Sequence, residues 1–147
     1  MVSGKYPQQP VIAVGAVVVH QNHILLIRRG KEPARGEWAI PGGRVELGET
    51  MHEAAVREVM EETCVSIRPG KLVYFFETIQ PDPDGRIQFH YAIFDFMAEY
   101  LAGEPKPRDD AMEARWVPAA DAGTYNLNIK TRDLLNRIGI TSSSDVL

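Results

Sequence analysis

The chain has 147 residues, 44% hydrophobic and 24% charged, enough apolar material for one core and little for a second domain. Its 16 Lys and Arg against 20 Asp and Glu leave a net charge of -4 with no basic block, which excludes a nucleic-acid polymer as main partner and obliges any phosphate-bearing ligand to bring metal ions or find local cations. A single cysteine, Cys64, excludes an internal disulfide and a multi-cysteine zinc site, and fits a reducing compartment, with the cytoplasm as the expected location.

Met1 to Pro10 is polar and rich in Pro and Gln, without the charged start and apolar stretch of a signal peptide. Val11 to Val19, interrupted by Gly15, is far shorter than the roughly 20 apolar residues that span a bilayer, so a soluble protein is expected. This run and Ile24 to Ile27 read as two strands joined by a tight turn at His20-Gln21-Asn22-His23. Both are almost wholly apolar, as in a sheet covered on both faces. Arg28 to Gly43 lacks periodicity and reads as a long structured loop closing at Pro41-Gly42-Gly43, and long loops in compact domains are usually functional. A helix is predicted from Thr50, whose spacing to Glu53 makes a capping box, to about Thr63. Leu72 to Ile79 and Ile87 to Tyr100 flank the turn Pro81-Asp82-Pro83-Asp84-Gly85 and read as an antiparallel pair. The polar loop Gly103 to Asp110 leads to a short strand at Ala114 to Val117. A second helix is predicted over Leu127 to Ile138, burying Leu127, Leu134, Leu135 and Ile138, before a loose Ser-rich tail. The expected division is an N-terminal segment to residue 10, one domain over 11–138, and a tail over 139–147.

The chemistry concentrates between Gly43 and Val65. Helical spacing places Glu58, Glu61 and Glu62 on one side near the C-terminal end of the first helix, where they repel one another and oppose the helix dipole. A solvated acidic face is the ordinary reading of such a pattern. It does not explain why the acids sit at the unfavourable end, or why a Gly-rich loop and Arg57 accompany them. A hard divalent cation resolves the repulsion, since Mg2+ takes oxygen ligands shared among carboxylates, waters and phosphates. Arg57 is either an exposed partner of Glu53 or folds back to hold Glu49.

The segment resembles the Nudix box: Gly, five residues, Glu, seven residues, Arg-Glu, an aliphatic residue, any residue, Glu-Glu, any residue, Gly, an aliphatic residue. Gly43, Glu49, Arg57, Glu58, Val59, Glu61, Glu62 and Val65 stand in register, and Cys64 replaces the final Gly. Trp38 to Gly43 and Glu113 to Val117 are also similar to Nudix segments, so the resemblance covers most of residues 11–138. A glycine just past a helix end commonly adopts a left-handed backbone, which costs a residue with a Cβ roughly 1 to 2 kcal/mol, so strain or a modified helix ending is expected at Cys64, and no metal ligand is lost. Cys64 itself is read as a small, part-buried residue rather than a reactive thiol.

The resemblance implies an α/β fold, an α/β/α sandwich around a central mixed sheet, and an enzyme that hydrolyses a phosphoanhydride with one to three Mg2+ or Mn2+ ions. Glu58 and Glu62 are the first expected ligands, and Glu61 is a further ligand or orients the water. Carbonyl oxygens near Gly42 and Gly43 complete the shell, and Arg57 with Glu49 holds loop to helix. The general base is expected at Glu113, with Asp109 and Asp110 as alternatives. Arg28, Arg29, Lys31 and Arg35 are the local cations for a second phosphate or sugar, Arg28 foremost. Trp38 either stacks on a base or packs under the loop. His20, His23, His52 and His90 receive no role. Pro81, 16 residues after Val65, points towards ADP-ribose or a similar nucleotide sugar, although plain turn chemistry also accounts for it. The alternatives are a nucleoside triphosphate pyrophosphohydrolase, with the loop Gly103 to Asp110 shaping the base pocket, and a non-catalytic nucleotide-binding module. A homodimer is expected through the apolar strand Ile87 to Tyr100.

Overall fold

A computed structural model describes residues 4–142. The chain runs β1 (Val11–His20), β2 (His23–Arg29), β3 (Trp38–Ala39), β4 (Gly42–Arg44), α1 (Met51–Thr63), β5 (Ser66–Pro81), β6 (Ile87–Ala102), β7 (Ala111–Pro118), a 3-10 turn (Ala119–Thr124) and α2 (Ile129–Arg137). The sheet is mixed. β1 lies parallel to β6 and antiparallel to β4, β5 pairs antiparallel with β6, and β2 pairs antiparallel with β1, β3 and β7.

The apolar runs of β1 and β2 are explained by helices on both faces. Ala16, Val18 and Leu25 pack with Val59 of α1, and Val14 packs with Ala54 and Ala55 of the same helix. On the other face Val17, Ile24 and Leu26 pack with Leu134 and Leu135 of α2. The architecture is therefore the expected α/β/α sandwich. Gln21 and Asn22, both with positive φ, form the turn between β1 and β2. The capping box of α1 is complete, with Glu53 N–H donating to Thr50 Oγ1 at 3.1 Å and Thr50 N–H to Glu53 Oε1 at 2.9 Å. Among the described residues, no helix is long and apolar enough to cross a membrane.

Several boundaries differ from expectation. The loop from Arg28 to Gly43 contains β3 and β4, too short for periodicity to reveal, and ordered by pairing with β2 and β1. β5 begins at Ser66 rather than Leu72, because register shifts between Pro69 and Tyr74 accommodate the Pro-Gly-Lys segment that reads locally as a break. β7 extends from Ala111. α2 starts at Ile129 under the cap of Asn128, so Leu127, although buried, lies ahead of the helix and bridges to Trp38. Tyr6 in the N-terminal segment docks on the β5–β6 turn, donating its N–H to the Gln88 carbonyl and its hydroxyl to Asp82. Residues 143–147 of the expected tail lie outside the described residues.

Candidate active site

The segment from β4 to α1 is shaped by two close approaches that only glycine permits. A Cβ on Gly42 would overlap the Val14 carbonyl oxygen of β1, and one on Gly43 would overlap the Glu58 carboxylate. The backbone is thereby brought against the glutamates, and Gly42 N–H donates to Glu62 Oε1 at 2.9 Å. Arg57 ties the preceding loop to the helix. Its Nε and Nη2 bind the two oxygens of Glu49 at 2.7 and 2.9 Å, Nη2 also donates to the Arg44 carbonyl at 2.9 Å, and Nη1 reaches Glu58 at 2.8 Å and Glu61 at 3.2 Å. Hydrogen bonding to Arg57 holds the Glu49 carboxyl down at about 2.

The C-terminal end of α1 meets the loop between β6 and β7. Two helix-end carbonyls, those of Thr63 and Glu62, accept the backbone N–H groups of Lys106 and Arg108, each at 2.9 Å. This pins the loop and delivers Asp109, whose φ is 54°, to the glutamates. Carboxylate oxygens of Glu58, Glu61 and Asp109 all lie within 4.8 Å of one another. Glu62 is deeper, 6% exposed, and burial, with Glu58 and Asp109 nearby, pushes its carboxyl up to about 8 against the hydrogen bond from Gly42. Burial also raises the Glu58 carboxyl, opposed by Arg57. Four acids converge here against Arg57, which Glu49 also shares, and form an oxygen donor set suited to a hard divalent cation. The last turn of α1 carries no basic residue.

A cleft of about 1640 Å³ opens over these acids and continues to the α2 side of the sheet. It is lined by Glu58, Glu61, Glu62, Gly42, Gly43, Glu49 and Arg57, together with Arg29, Lys31, Asp109 and Asp110. Four expected residues fall outside it. Alternation along β2 and β7 puts Arg28 and Glu113 opposite each other on the α2 side with Leu26 and Val117, whereas α1 carries the glutamates on the other face. Glu113 bonds Arg115 at 2.6 Å and Arg28 at 3.4 Å. Trp38 is 9% exposed, edge-on to Tyr125 at 5.1 Å, with the Arg115 guanidinium 4.8 Å above its ring, and so packs rather than offering a face to a base. The pleat of β2 instead turns Arg29 into the cleft, and Arg35 also lies outside it. The loop Gly103 to Asp110, expected at the base pocket, stands at the acid cluster.

A model of the NUDIX domain matches residues 9–138. The chain belongs to the Nudix hydrolase family. This Nudix chain is 39% identical over 107 residues to a protein of Methanocaldococcus jannaschii named ADP-ribose pyrophosphatase, a match covering 73% of this chain and 61% of that protein. It is 28% identical over 135 residues to the 8-oxo-dGDP phosphatase of Homo sapiens, covering 89% of this chain and 38% of the relative. Among solved structures, a MutT Nudix hydrolase from Burkholderia pseudomallei superposes with a TM-score of 0.76 at 28% identity, covering 89% of this chain and 99% of that one. The chain thus spans under two thirds of these two named relatives' lengths and nearly all of that neighbour.

Two residues of the Nudix cleft carry signals that the sequence reading did not use. Asp95 is the lone acid in the apolar run Ile93-Phe94-Asp95-Phe96-Met97 of β6, and Gly15 is the lone break in β1. They are register partners, and both line the cleft.

Proposed function

We propose that this chain hydrolyses the pyrophosphate bond of a nucleoside diphosphate joined to another group, with ADP-ribose or a similar nucleotide sugar as substrate. The observation that carries this reading is the convergence of Glu58, Glu61, Glu62 and Asp109 beside a glycine-shaped backbone in a cleft that also holds Arg29 and Lys31. The name of the Methanocaldococcus jannaschii relative and the place of Pro81 at the end of β5 support the substrate class.

Glu58, Glu61 and Glu62 would hold Mg2+ or Mn2+, with carbonyl oxygens at Gly42 and Gly43 close by. Bound there, such ions would neutralise the diphosphate and make a water more acidic. Asp109 takes the proton from the attacking water as the water oxygen bonds phosphorus and the bridging P–O bond breaks, a role reassigned from Glu113 because Asp109 stands among the glutamates. Arg57 and Glu49 are positioning residues that fix Glu58 on the helix. Arg29 and Lys31, rather than Arg28, bind the second phosphate. The protein acts on a small nucleotide, and the cytoplasm is the compartment that suits it.

Chromatography of the products formed from ADP-ribose and other nucleotide sugars (two phosphomonoesters) and from nucleoside triphosphates (a monophosphate and pyrophosphate), with Mg2+ or Mn2+, tests the reading when wild type is compared with Glu62→Gln. One strongly preferred nucleotide sugar, with hydrolysis falling by orders of magnitude in the variant, supports it. Preference for a triphosphate would favour the nucleoside triphosphate pyrophosphohydrolase alternative. Equal inertness of both proteins would leave a nucleotide-binding module. A homodimer is also proposed, a reading that the exposed Leu72, Phe75 and Ile79 on β5 support alongside the expected β6 surface; sedimentation of wild type and Phe75→Glu tests it.

A further inference from the structure

Asp95 projects from the middle of β6 into the cleft with only 4% of its surface exposed. Its register partner on β1 is Gly15, and a Cβ there would overlap Asp95 Oδ1 and come within 2.9 Å of Ile40 Cδ1. The glycine that interrupts β1 therefore makes room for a carboxyl where an apolar strand would otherwise close the floor. Among the described residues, burial is the one cause that moves the Asp95 carboxyl, to about 7, with no hydrogen bond or cation opposing it. None of the fully enclosed side-chain oxygens among the described residues lacks a partner, so the Asp95 oxygens have their access through the cleft. A buried carboxyl without a protein donor is costly, and a donor brought by a ligand removes that cost.

The surroundings indicate which part of the ligand this is. Phe76 on β5 pairs with Ile93 on β6, one alternation from the Tyr74–Asp95 pair, and both line the cleft with Ile40. The same cleft also carries the polar Thr78, Asn128 and Thr131, which suit a sugar, whereas the apolar Ile40, Phe76 and Ile93 with the Asp95 acceptor suit a nucleobase read at an edge. We propose that Asp95 is a specificity-determining residue that accepts a hydrogen bond from the N6 amino group of an adenine held between Ile40, Phe76 and Ile93. The inference rests on the nucleotide-hydrolase reading and names the base within it.

Binding of AMP and of purine riboside 5′-monophosphate, which differ in that amino group, is measured by titration calorimetry at pH 8.5 on wild type, Asp95→Leu and Asp95→Asn. Wild type is expected to prefer AMP by about tenfold or more, as for a charge-assisted hydrogen bond in a buried site. In Asp95→Leu the ratio falls to within about twofold. Asp95→Asn keeps a neutral acceptor and lies between, which preserves the test if the leucine variant fails to fold. A wild-type ratio near one, or a ratio unchanged in the variants, overturns the proposal. Binding is read without turnover, so loss of hydrolysis with the AMP preference intact would sink the catalytic reading and leave this one standing.

Discussion

Replacing Cys64 by glycine should stabilise the protein without altering its chemistry. Cys64 ends α1 with φ 65° and ψ 15°, in the left-handed region, while its N–H still closes the last turn on the Met60 carbonyl at 3.0 Å. A Cβ in that region costs roughly 1 to 2 kcal/mol. Glycine removes this cost but gives the unfolded chain more freedom, offsetting about 0.4 to 1 kcal/mol. The side chain contributes little in return. Its sulfur is part-buried and sits 3.9 Å from Arg108 Nη1. At the middle of both ranges the net gain is about 0.8 kcal/mol, equivalent to a rise of about 2 to 3 °C in the unfolding midpoint for a chain of this size. Thermal and urea unfolding of wild type and Cys64→Gly measure it, and turnover should be unchanged because the helix end and its glutamates stay in place. A midpoint equal to or below that of wild type would show that the strain of the left-handed backbone does not exceed the entropy that glycine adds to the unfolded chain. A higher midpoint accompanied by lost activity would show that the sulfur acts beyond packing.

Arg57→Lys keeps the charge but loses the fork that grips Glu49 together with the Arg44 carbonyl, and kcat/KM should fall about 10- to 100-fold, as for other residues that orient metal-binding groups. Asp109→Asn should lower kcat by about 100-fold or more, whereas Glu113→Gln should change it by less than about threefold; the reverse order would restore Glu113 as base. The Glu49–Arg57 pair also sets an acid limit. The folded Glu49 carboxyl titrates at about 2 against an ordinary 4.5, so its contribution is complete above 4.5 and is lost as pH falls from there towards 2. Unfolding midpoints measured from pH 6 to pH 3 should therefore decline more steeply in wild type than in Glu49→Gln, and parallel declines would remove the pair from the account.

The box was legible because its geometry is local. Glu58, Glu61 and Glu62 share a side of one helix, and Arg57 reaches Glu49 across a short loop, so helical spacing alone brings most of these groups together. What spacing cannot supply is the face on which a strand residue emerges. Arg28 and Arg29 are equally cationic in sequence, and only the register of β2 against β7 decides that Arg29 enters the cleft while Arg28 meets Glu113. Asp109 depends on a longer chain of causes: the loop after β6 must dock on the last carbonyls of α1, through backbone N–H groups that carry no side-chain signature. Asp95 and Gly15 show the opposite case, in which the signal was visible and its meaning was not. An acid inside one apolar strand and a glycine inside another each read as a local irregularity. Parallel pairing of β1 with β6 makes them one feature, a carboxyl and the space it occupies. A polar residue that breaks a buried strand is therefore best interpreted together with whatever breaks its neighbour.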